Sequence, residues 1–307
     1  MSDSFRPPDA KSNKRVALSG SPFSFGKNWT SYLTTINNSR IDSAVRSLRS
    51  ILASESVGGK SFLDVGCGSG LTSLAAALEG AAVTSIDLDD DCITCTNLLR
   101  ERFFSTEAQD HLSMNRQVAA PRQWTVIKAS ILDEKAINDL GYFDVVYSWG
   151  VLHHTGQMNR AIQMASDRVK PGGLFAIAIY NNQGGASRRW SLVKRLYQKI
   201  PSFFQPLYVV FFAAFFEFKF AISRLLRGEN PLPFAAWRSK SSDRGMSVWH
   251  DWVDWIGGWP FEVASPEEIV NPLVNSGFSL IKLKTVGHGW GCNEYLFKNQ
   301  AERPVPS

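Results

Sequence analysis

Cysteine is scarce in this chain of 307 residues, which has four, at positions 67, 92, 95 and 292. Four cysteines at such scattered positions are too few to form a disulfide framework. Cys92 and Cys95 form a single CxxC inside a helical pattern, without a second CxxC or paired histidines nearby. Because a zinc or redox site needs further ligands at a regular spacing, we predict packed thiols and no metal site.

Long apolar runs are missing as well. The unbroken apolar run at 207–216 is half of the roughly 20 residues that a membrane-spanning helix needs. The first 15 residues carry charge but no apolar stretch behind them, which predicts no secretory signal and a cytoplasmic protein.

Charge of one sign is not strongly in excess. The net charge of +5 is weak evidence for a nucleic-acid partner, and the aromatic and glycine signatures of RNA-binding modules are missing. With 44% hydrophobic residues, the chain can bury one large core, which favours one elaborated domain.

The stretch at 61–70, SFLDVGCGSG, is the most informative part of the sequence. Apolar residues run into glycines at 66, 68 and 70, and a helical pattern with small residues follows at 71–78. This order predicts a buried parallel strand, a tight turn and a helix. Because glycines let the backbone turn sharply and let a ligand approach it, we predict a ligand site at this turn.

The residues around the turn indicate which ligand it binds. A dinucleotide fingerprint would have its third glycine where this chain has Leu71. Asp64, at the end of the first strand, can meet a cation such as an α-ammonium group. Asp87 ends the next strand, from where a carboxylate can accept both hydroxyls of a ribose. S-adenosylmethionine, an amino-acid-bearing nucleoside without phosphates, fits these features.

The same residues resemble the class I S-adenosylmethionine-dependent methyltransferases. LDVGCGSG is similar to their first motif, and the resemblance continues through Asp87, VIKASILD at 126–133, FDVVYSWGVLHH at 143–154 and KPGG at 170–173. It covers the range 60–180. Within the family, the region resembles the O-methyltransferases of ubiquinone synthesis, which act on a quinol ring.

The resemblance implies an α/β fold with a Rossmann-like seven-stranded sheet in the order 3-2-1-4-5-7-6 and helices on both faces. The pattern predicts strands at 61–65, 82–87, 124–128, 143–148 and 173–180, a closing hairpin at 278–298, and helices near 41–52, 70–79, 89–103, 133–140 and 157–170. A further helix is predicted to begin at Ser265 with a capping box to Glu268.

We expect four parts along the chain. They are a mobile arm at 1–21, a segment covering the cofactor at 22–59, the methyltransferase core at 60–180 and 265–300, and a helical, aromatic-rich cap inserted after strand 5 at 181–264.

The resemblance also implies which residues bind the cofactor. They are Asn28, Trp29, Asp64, Gly66, Cys67, Gly68, Gly70, Asp87, Leu88, Ser130, Ile131 and Trp149. Ser130 and Ile131 would lie against the adenine, and Trp149 beside the methionine part. For Asn28 and Trp29, packing in the core is the alternative.

Departures from related patterns argue against two kinds of site. Nucleic-acid amino-methyltransferases usually carry Asn-Pro-Pro-aromatic after the fourth strand, where this chain has 148–151, SWGV; we therefore expect no nucleic-acid partner. The quinol methyltransferases carry two glutamates and a histidine where this chain has Gly150, His153 and His154. Only His154 matches, so a metal site of that type is not expected.

The inserted segment leaves three interpretations open. Basic residues at 188–199 precede an aromatic stretch at 201–226. That stretch is a cap packed on the core, a cap that also forms an apolar acceptor pocket, or an interfacial helix in peripheral contact with anionic lipid.

We expect transfer of a methyl group to a small molecule, either a phenol or quinol hydroxyl or a thiol. The alternative is a partner-dependent methyltransferase or an inactive cofactor-binding scaffold that acts through the insertion. Two histidines are candidates for the general base. His250 stands beside Asp251, which would orient it, and is favoured over His154. For His154 the alternative is bracing of its loop, and for the His250 segment it is a capping loop.

Overall fold

The computed structural model describes residues 36–104, 123–233, 248–287 and 291–300. Helices and strands alternate along the first half, as predicted, and the two closing strands come last. In chain order they are α1 (Asn38–Ile51), β1 (Ser61–Val65), α2 (Leu71–Leu78), β2 (Ala82–Asp87), α3 (Asp90–Phe104), β3 (Trp124–Lys128), α4 (Glu134–Asp139), β4 (Phe143–Trp149), α5 (Met158–Ser166), β5 (Val169–Tyr180), α6 (Gly185–Lys199), α7 (Gln205–Leu226), α8 (Val248–Gly257), α9 (Pro266–Asn275), β6 (Phe278–Lys284) and β7 (Cys292–Asn299).

The strands form one seven-stranded sheet in the order β3-β2-β1-β4-β5-β7-β6, which confirms the predicted fold. β1 lies between β2 and β4, with Asp64 opposite Ser85 on one side and Tyr147 on the other. The first five strands are parallel, whereas β7 runs antiparallel to both β5 and β6. The carboxyl ends of the parallel strands therefore meet at one edge, where ligands of open α/β sheets bind.

Apolar side chains cover both faces of the sheet. On one face, Phe62 and Tyr147 pack in the cluster that includes residues of α1 and α2. On the other, Leu63 and Val146 pack with residues of α5 and α9. Consecutive residues of a strand point to opposite faces, so the neighbouring apolar side chains of Phe62 and Leu63 indicate helices on both sides of β1.

The predicted helix at 157–170 is too long at its end. Helix α5 ends at Ser166, and Val169 already pairs with Phe143 in the sheet. Pairing resumes only at Val145 and Leu174, so the KPGG residues form an irregularity inside β5. The Lys170 ammonium group there donates to the carboxylate of Asp144 at 2.9 Å, a contact between strands that helical periodicity does not reveal.

The inserted segment contains a helical, aromatic-rich region, as predicted. Helices α6, α7 and α8 share a separate apolar cluster whose buried members are Tyr197, Val209, Phe216, Trp252 and Ile256. The ring of Phe216 lies 6.1 Å from that of Trp252, centroid to centroid. Within the described ranges, none of the helices has the length and apolar character required to cross a bilayer.

Main-chain hydrogen bonds connect this cap to the end of the sheet. The backbone N–H of Ala264 donates to the carbonyl of Tyr180 at 3.0 Å, and that of Glu262 donates to the carbonyl of His153 at 2.9 Å. The Glu262 carboxylate in turn accepts from the backbone N–H of Met158 at 3.0 Å. The segment at 258–264, which returns from the cap to the core, therefore runs along the carboxyl ends of β4 and β5.

The capping box at the start of α9 provides a test of helix stability. Ser265 Oγ accepts from the Glu268 N–H at 3.3 Å, and the Glu268 carboxylate accepts from the Ser265 N–H at 2.7 Å. We expect Ser265→Ala to lower the free energy of unfolding by about 1 kcal/mol in urea denaturation, because an N–H group of the first turn loses its acceptor. Ser265→Asp, which keeps an acceptor, should retain most of the stability; equal losses in the two variants would contradict this explanation.

Candidate functional site

The turn after β1 holds its three glycines in the left-handed region of the backbone. Gly66, Gly68 and Gly70 have φ angles of 77°, 55° and 78°. A Cβ atom on Gly66 would overlap the side chain of Val151, and one on Gly70 would lie 2.9 Å from the side chain of Thr96. Packing against Val151 and Thr96 thus requires glycine at 66 and 70. The sequence did not indicate these two contacts.

Asp87 ends β2 beside this turn and accepts two backbone hydrogen bonds. The N–H of Gly68 donates to Oδ2 and that of Asp89 to Oδ1, both at 3.0 Å. Burial raises the pKa of Asp87, although these donors act to lower it. Each oxygen of an ionised carboxylate has two acceptor positions, so both can accept a further hydroxyl donor. The next side chain, Leu88, is 58% exposed and adds an apolar surface.

Asp64 lies under the turn at the end of a buried hydrogen-bonded chain. Its Oδ2 accepts from the Ser73 hydroxyl at 2.6 Å. The hydroxyls of Ser73 and Ser85 are 2.6 Å apart, and Ser85 accepts from the indole N–H of Trp124 at 2.8 Å. Ser73 has a single hydroxyl proton and donates it to Asp64, so the Ser85 hydroxyl donates to Ser73.

Burial makes Asp64 a weaker acid than an ordinary aspartate. The carboxylate is 2% exposed, and burial raises its pKa to about 7, while the Ser73 hydroxyl acts to lower it and the charge of Asp87 to raise it. The predicted direct contact between Asp64 and an α-ammonium group stays a prediction, because protein atoms cover the carboxylate here.

Ser130 and Ile131 follow β3 at the same edge of the sheet. The Ser130 hydroxyl accepts from the backbone N–H of Leu132 at 3.2 Å, and Ser130 is half-buried. Ile131 is 5% exposed and packs in the core between the sheet and α5. Ser130 therefore presents polar atoms at this edge, while Ile131 mainly supports the loop.

Trp149 and Cys67 complete the predicted cofactor residues whose side chains the structure describes. Trp149 ends β4, is half-buried and stacks on Tyr147 with ring centroids 6.2 Å apart. Cys67 is buried, and its Sγ lies 3.3 Å from the hydroxyl of Thr96. Burial raises the pKa of this thiol, so Cys67 acts as a packing residue of the turn.

The two neighbouring histidines after β4 are both neutral. The ring Nδ1 of His153 accepts from the backbone N–H of Tyr180 at 3.4 Å. The Nδ1 of His154 lies 2.5 Å from the carbonyl of Pro260; since a carbonyl only accepts, this Nδ1 carries the proton and Nε2 does not. Burial lowers the pKa of both residues, that of His154 to about 3 with a further contribution from the charge of Lys194.

A small cavity lies between the end of β5 and the cap. Its volume is about 40 Å³, and its lining includes the aromatic residues Tyr180, Trp190, Trp255 and Phe261 and the polar residues Asn181, Gln183 and Ser187. The ring of Tyr180 also packs on His153 and His154, with centroid distances of 4.1 and 5.5 Å. The cavity and the histidines thus share one wall.

Lys194 is a residue whose position the sequence analysis missed. The sequence places Lys194 among the basic residues at 188–199, yet its side chain is fully buried. Its Nζ donates to the carbonyl of Trp255 at 2.5 Å and lies 5.0 Å from the ring centroid of Phe261. Burial lowers its pKa to about 7, against the charge of Asp254. The helical spacing from Trp190 to Lys194 and Tyr197 was the available signal, since residues four and seven apart share a face.

Four of the predicted site residues lie wholly or partly outside the part of the chain that the structure describes. Asn28 and Trp29 lie wholly outside it. The backbone of His250 and Asp251 lies in α8, but their side chains are not among those described. Consecutive residues of an α-helix do not face each other, so this backbone lends no support to the predicted pair, which stays a prediction.

Comparison with known proteins gives one family match. The family model described as a methyltransferase domain matches residues 38–209, more than half of the chain. The ubiquinone biosynthesis O-methyltransferase of Glaesserella parasuis is 30% identical over 128 residues, which are 42% of this chain and 48% of that protein. The enzyme of the same name from Pseudomonas putida F1 is 34% identical over 126 residues, 41% of this chain and 47% of its own length. The chain spans about half the length of the curated relatives it matches.

Solved structures of similar fold are more distant. Magnesium protoporphyrin IX methyltransferase from Synechocystis PCC 6803, with bound SAH, has a TM-score of 0.48 and 13% sequence identity, covering 90% of this chain and 95% of that one. A methyltransferase from Mesorhizobium loti, described as S-adenosylmethionine dependent, has a TM-score of 0.46 and 15% identity, with 84% and 99% coverage.

The buried chain under the turn predicts a pH-dependent stability. Because the pKa of Asp64 is raised in the folded protein, the stability linked to it is complete below the ordinary aspartate pKa, about 4, and is lost as the pH rises through about 7. Ser73→Ala removes a donor that favours the ionised form, so it should cost about 1–3 kcal/mol above neutral pH and clearly less in mild acid. Urea unfolding at both pH values measures the difference.

The double variant Ser73→Ala/Asp64→Asn provides the control for this experiment. Without an ionisable group at position 64, the effect of losing the Ser73 hydroxyl should no longer depend on pH in this range. An equally large cost of Ser73→Ala on both sides of neutrality would contradict the raised pKa of Asp64.

Proposed function

The chain belongs to the methyltransferase family whose model matches it, and we propose that it transfers a methyl group from S-adenosylmethionine to a phenol or quinol hydroxyl of a small molecule. The observation that supports this acceptor is the aromatic cavity between β5 and the cap, at the edge of the sheet where Asp87 lies. The names of the two curated relatives support oxygen as the methylated atom.

The residues at the glycine turn fit the cofactor. S-adenosylmethionine supplies an electrophilic methyl group on a sulfonium ion. Asp87 is half-buried and keeps acceptor positions on both oxygens beyond its two backbone bonds, which suits a pair of ribose hydroxyls. The exposed side chain of Leu88 offers an apolar contact to a base. A cationic ligand above the turn would favour the ionised form of Asp64, whose burial otherwise raises its pKa to about 7.

The cavity suits an aromatic acceptor once the cap moves. A volume of about 40 Å³ holds one or two water molecules and is smaller than a phenol ring. Binding therefore requires an outward movement of cap residues such as Trp255 and Phe261. The rings would then enclose the acceptor and exclude water, while Asn181 and Gln183 hold its hydroxyl.

The proton of the acceptor hydroxyl has to be removed during transfer. We assign His154 to a supporting role, since its Nδ1–H bond to Pro260 holds the segment at 258–264 and its low pKa makes it a poor proton acceptor. His250 on α8 is the proposed base, because a residue carried by the cap can approach the acceptor as the cap closes.

The cofactor assignment predicts the behaviour of Asp87→Ala. Losing the acceptor of the ribose hydroxyls should weaken S-adenosylmethionine binding at least about tenfold in calorimetry. The control is Asp90→Ala, an exposed carboxylate of the same region paired with Lys128, which should bind normally. Unchanged affinity in a folded Asp87→Ala protein would remove the ribose assignment.

Variants of His154 and His250 separate a supporting residue from a base. His154→Asn keeps an N–H donor for the Pro260 carbonyl, so it should retain most of the turnover that His154→Ala loses. His250→Ala should lose about 10²- to 10⁴-fold in turnover with normal cofactor affinity. Equal, severe losses in His154→Asn and His154→Ala would instead make His154 the base.

One assay tests the proposed function as a whole. The full chain is incubated with S-adenosylmethionine and separate panels of phenols, quinols and thiols, and release of S-adenosylhomocysteine is measured, with the Asp87→Ala protein as the blank. Turnover is expected with ring hydroxyls. Turnover confined to thiols would reassign the acceptor, and tight cofactor binding without turnover on any panel would support the scaffold alternative.

A further inference from the structure

The outer side of helix α7 is an apolar surface with little cover. Its inner side chains Val209 and Phe216 are buried in the cap cluster. On the outer side, large apolar residues are 43–82% exposed from one end of the helix to the other; they are Leu207, Val210, Phe211, Phe215, Phe218, Ile222, Leu225 and Leu226. A helix at the surface of a protein normally has polar residues on its outer face, so this face, called here the outer face of α7, is adapted to an apolar contact.

The apolar surface continues beyond the helix. Phe203 and Phe204, in the short turn before α7, are 84% and 52% exposed. An open groove of about 320 Å³ is lined by Ile200, Phe204, Leu207, Tyr208 and Phe211. On α6, Leu192 and Leu196 are 59% and 45% exposed. Contiguous apolar surface of this kind marks a site of interaction with a partner or a membrane.

Positive charge is concentrated in the same part of the chain. Residues 185–232 contain eight of the 33 basic residues and two of the 28 acidic ones. Lys194, one of the eight, is buried inside the cap. The other seven basic residues exceed the two acidic ones by five, whereas the chain outside this stretch is net negative by one. Both acidic residues lie within 4.0 Å of an arginine, Glu217 of Arg224 and Glu229 of Arg227. Arg188, Arg189, Arg195 and Lys199 are exposed on α6.

An anionic surface matches this combination better than a second copy of the chain. In a two-fold symmetric dimer the same patch meets itself, which would bring the basic residues of α6 and α7 close to their own copies. A bilayer with anionic headgroups instead attracts the basic side chains and accepts the phenylalanine and leucine side chains at its acyl boundary. The charges within α7, such as Lys219 and Arg224, suit a helix that lies in the plane of the interface.

We propose that the outer face of α7, together with the basic side chains of α6, binds the surface of an anionic phospholipid bilayer, with α7 parallel to the membrane. The binding does not depend on methyl transfer or on the identity of the acceptor. It would hold the cap side of the protein, where the cavity lies, against the lipid.

The first test needs no variant. The full chain is sedimented with vesicles of phosphatidylcholine alone and with vesicles that also contain phosphatidylglycerol. We expect binding to the anionic vesicles, weakened by added salt because part of the attraction is electrostatic. Lack of binding to either vesicle type, or equal and salt-independent binding to both, would overturn the proposal.

Variants then identify the face. Phe211→Asp/Phe218→Asp should weaken vesicle binding at least about tenfold, since two large apolar contacts are lost. The matched control is Val274→Asp/Ile281→Asp, which places the same charges at exposed apolar positions of α9 and β6 and should bind normally. Arg188→Glu/Lys199→Glu should reduce the preference for anionic vesicles. Calorimetry with S-adenosylmethionine checks that each variant remains folded.

Sedimentation velocity tests whether a second copy of the chain, and not lipid, covers the outer face of α7. A dimer of the wild-type chain that Phe211→Asp/Phe218→Asp converts to a monomer, together with no binding to anionic vesicles, would assign the outer face of α7 to a second copy and overturn the lipid proposal. Equal vesicle binding by this variant and by its control would also overturn it, because the face would then not be the contact.

Discussion

The buried carboxylate of Asp64 is the group on which the buried hydrogen bonds of the central sheet converge. A buried carboxylate requires donors from the protein, and here the direct donor is the Ser73 hydroxyl of α2. Ser85 of β2 and Trp124 of β3 continue the chain of hydrogen bonds, which therefore connects β1, α2, β2 and β3. The glycine turn lies directly above this chain, and Asp87, whose carboxylate accepts from the Gly68 N–H, adds its own charge to the environment of Asp64.

The edge formed by the strand ends gives the molecule its functional side. On the β2 and β3 side it carries Asp87, Leu88 and Ser130, which suit a nucleoside. On the β4 and β5 side it carries the paired histidines and Tyr180, which face the cap through hydrogen bonds to Pro260 and Ala264. The cavity between β5 and the cap lies on this second side. A single edge thus carries both the proposed cofactor site and the proposed acceptor site, because the five strands from β1 to β5 are parallel.

The cap has two contrasting surfaces. Its inner surface meets the core through hydrogen bonds of Glu262 and Ala264. Inside the cap, the buried ammonium of Lys194 contacts one carbonyl and the faces of two aromatic rings. Its outer surface is apolar and is accompanied by basic residues. Of the described cap residues, only Ala264, at the end of the cap, belongs to one of the two main hydrophobic clusters.

The sequence by itself determined the strands and the residues near their carboxyl ends, and the family resemblance implied the order of the strands. Apolar runs that end in Asp64, Asp87 and Trp149 specify buried parallel strands, and parallel strands must end at a common edge. Only the tertiary structure decided which contacts the other side chains of the site and the cap make. Val151 fills the space over Gly66, and His154 meets Pro260 across 106 positions of the chain. Lys194 is buried while the neighbouring Arg195 is exposed. These features depend on contacts between residues that are distant in sequence, and the periodicity of a single segment carries no information about them.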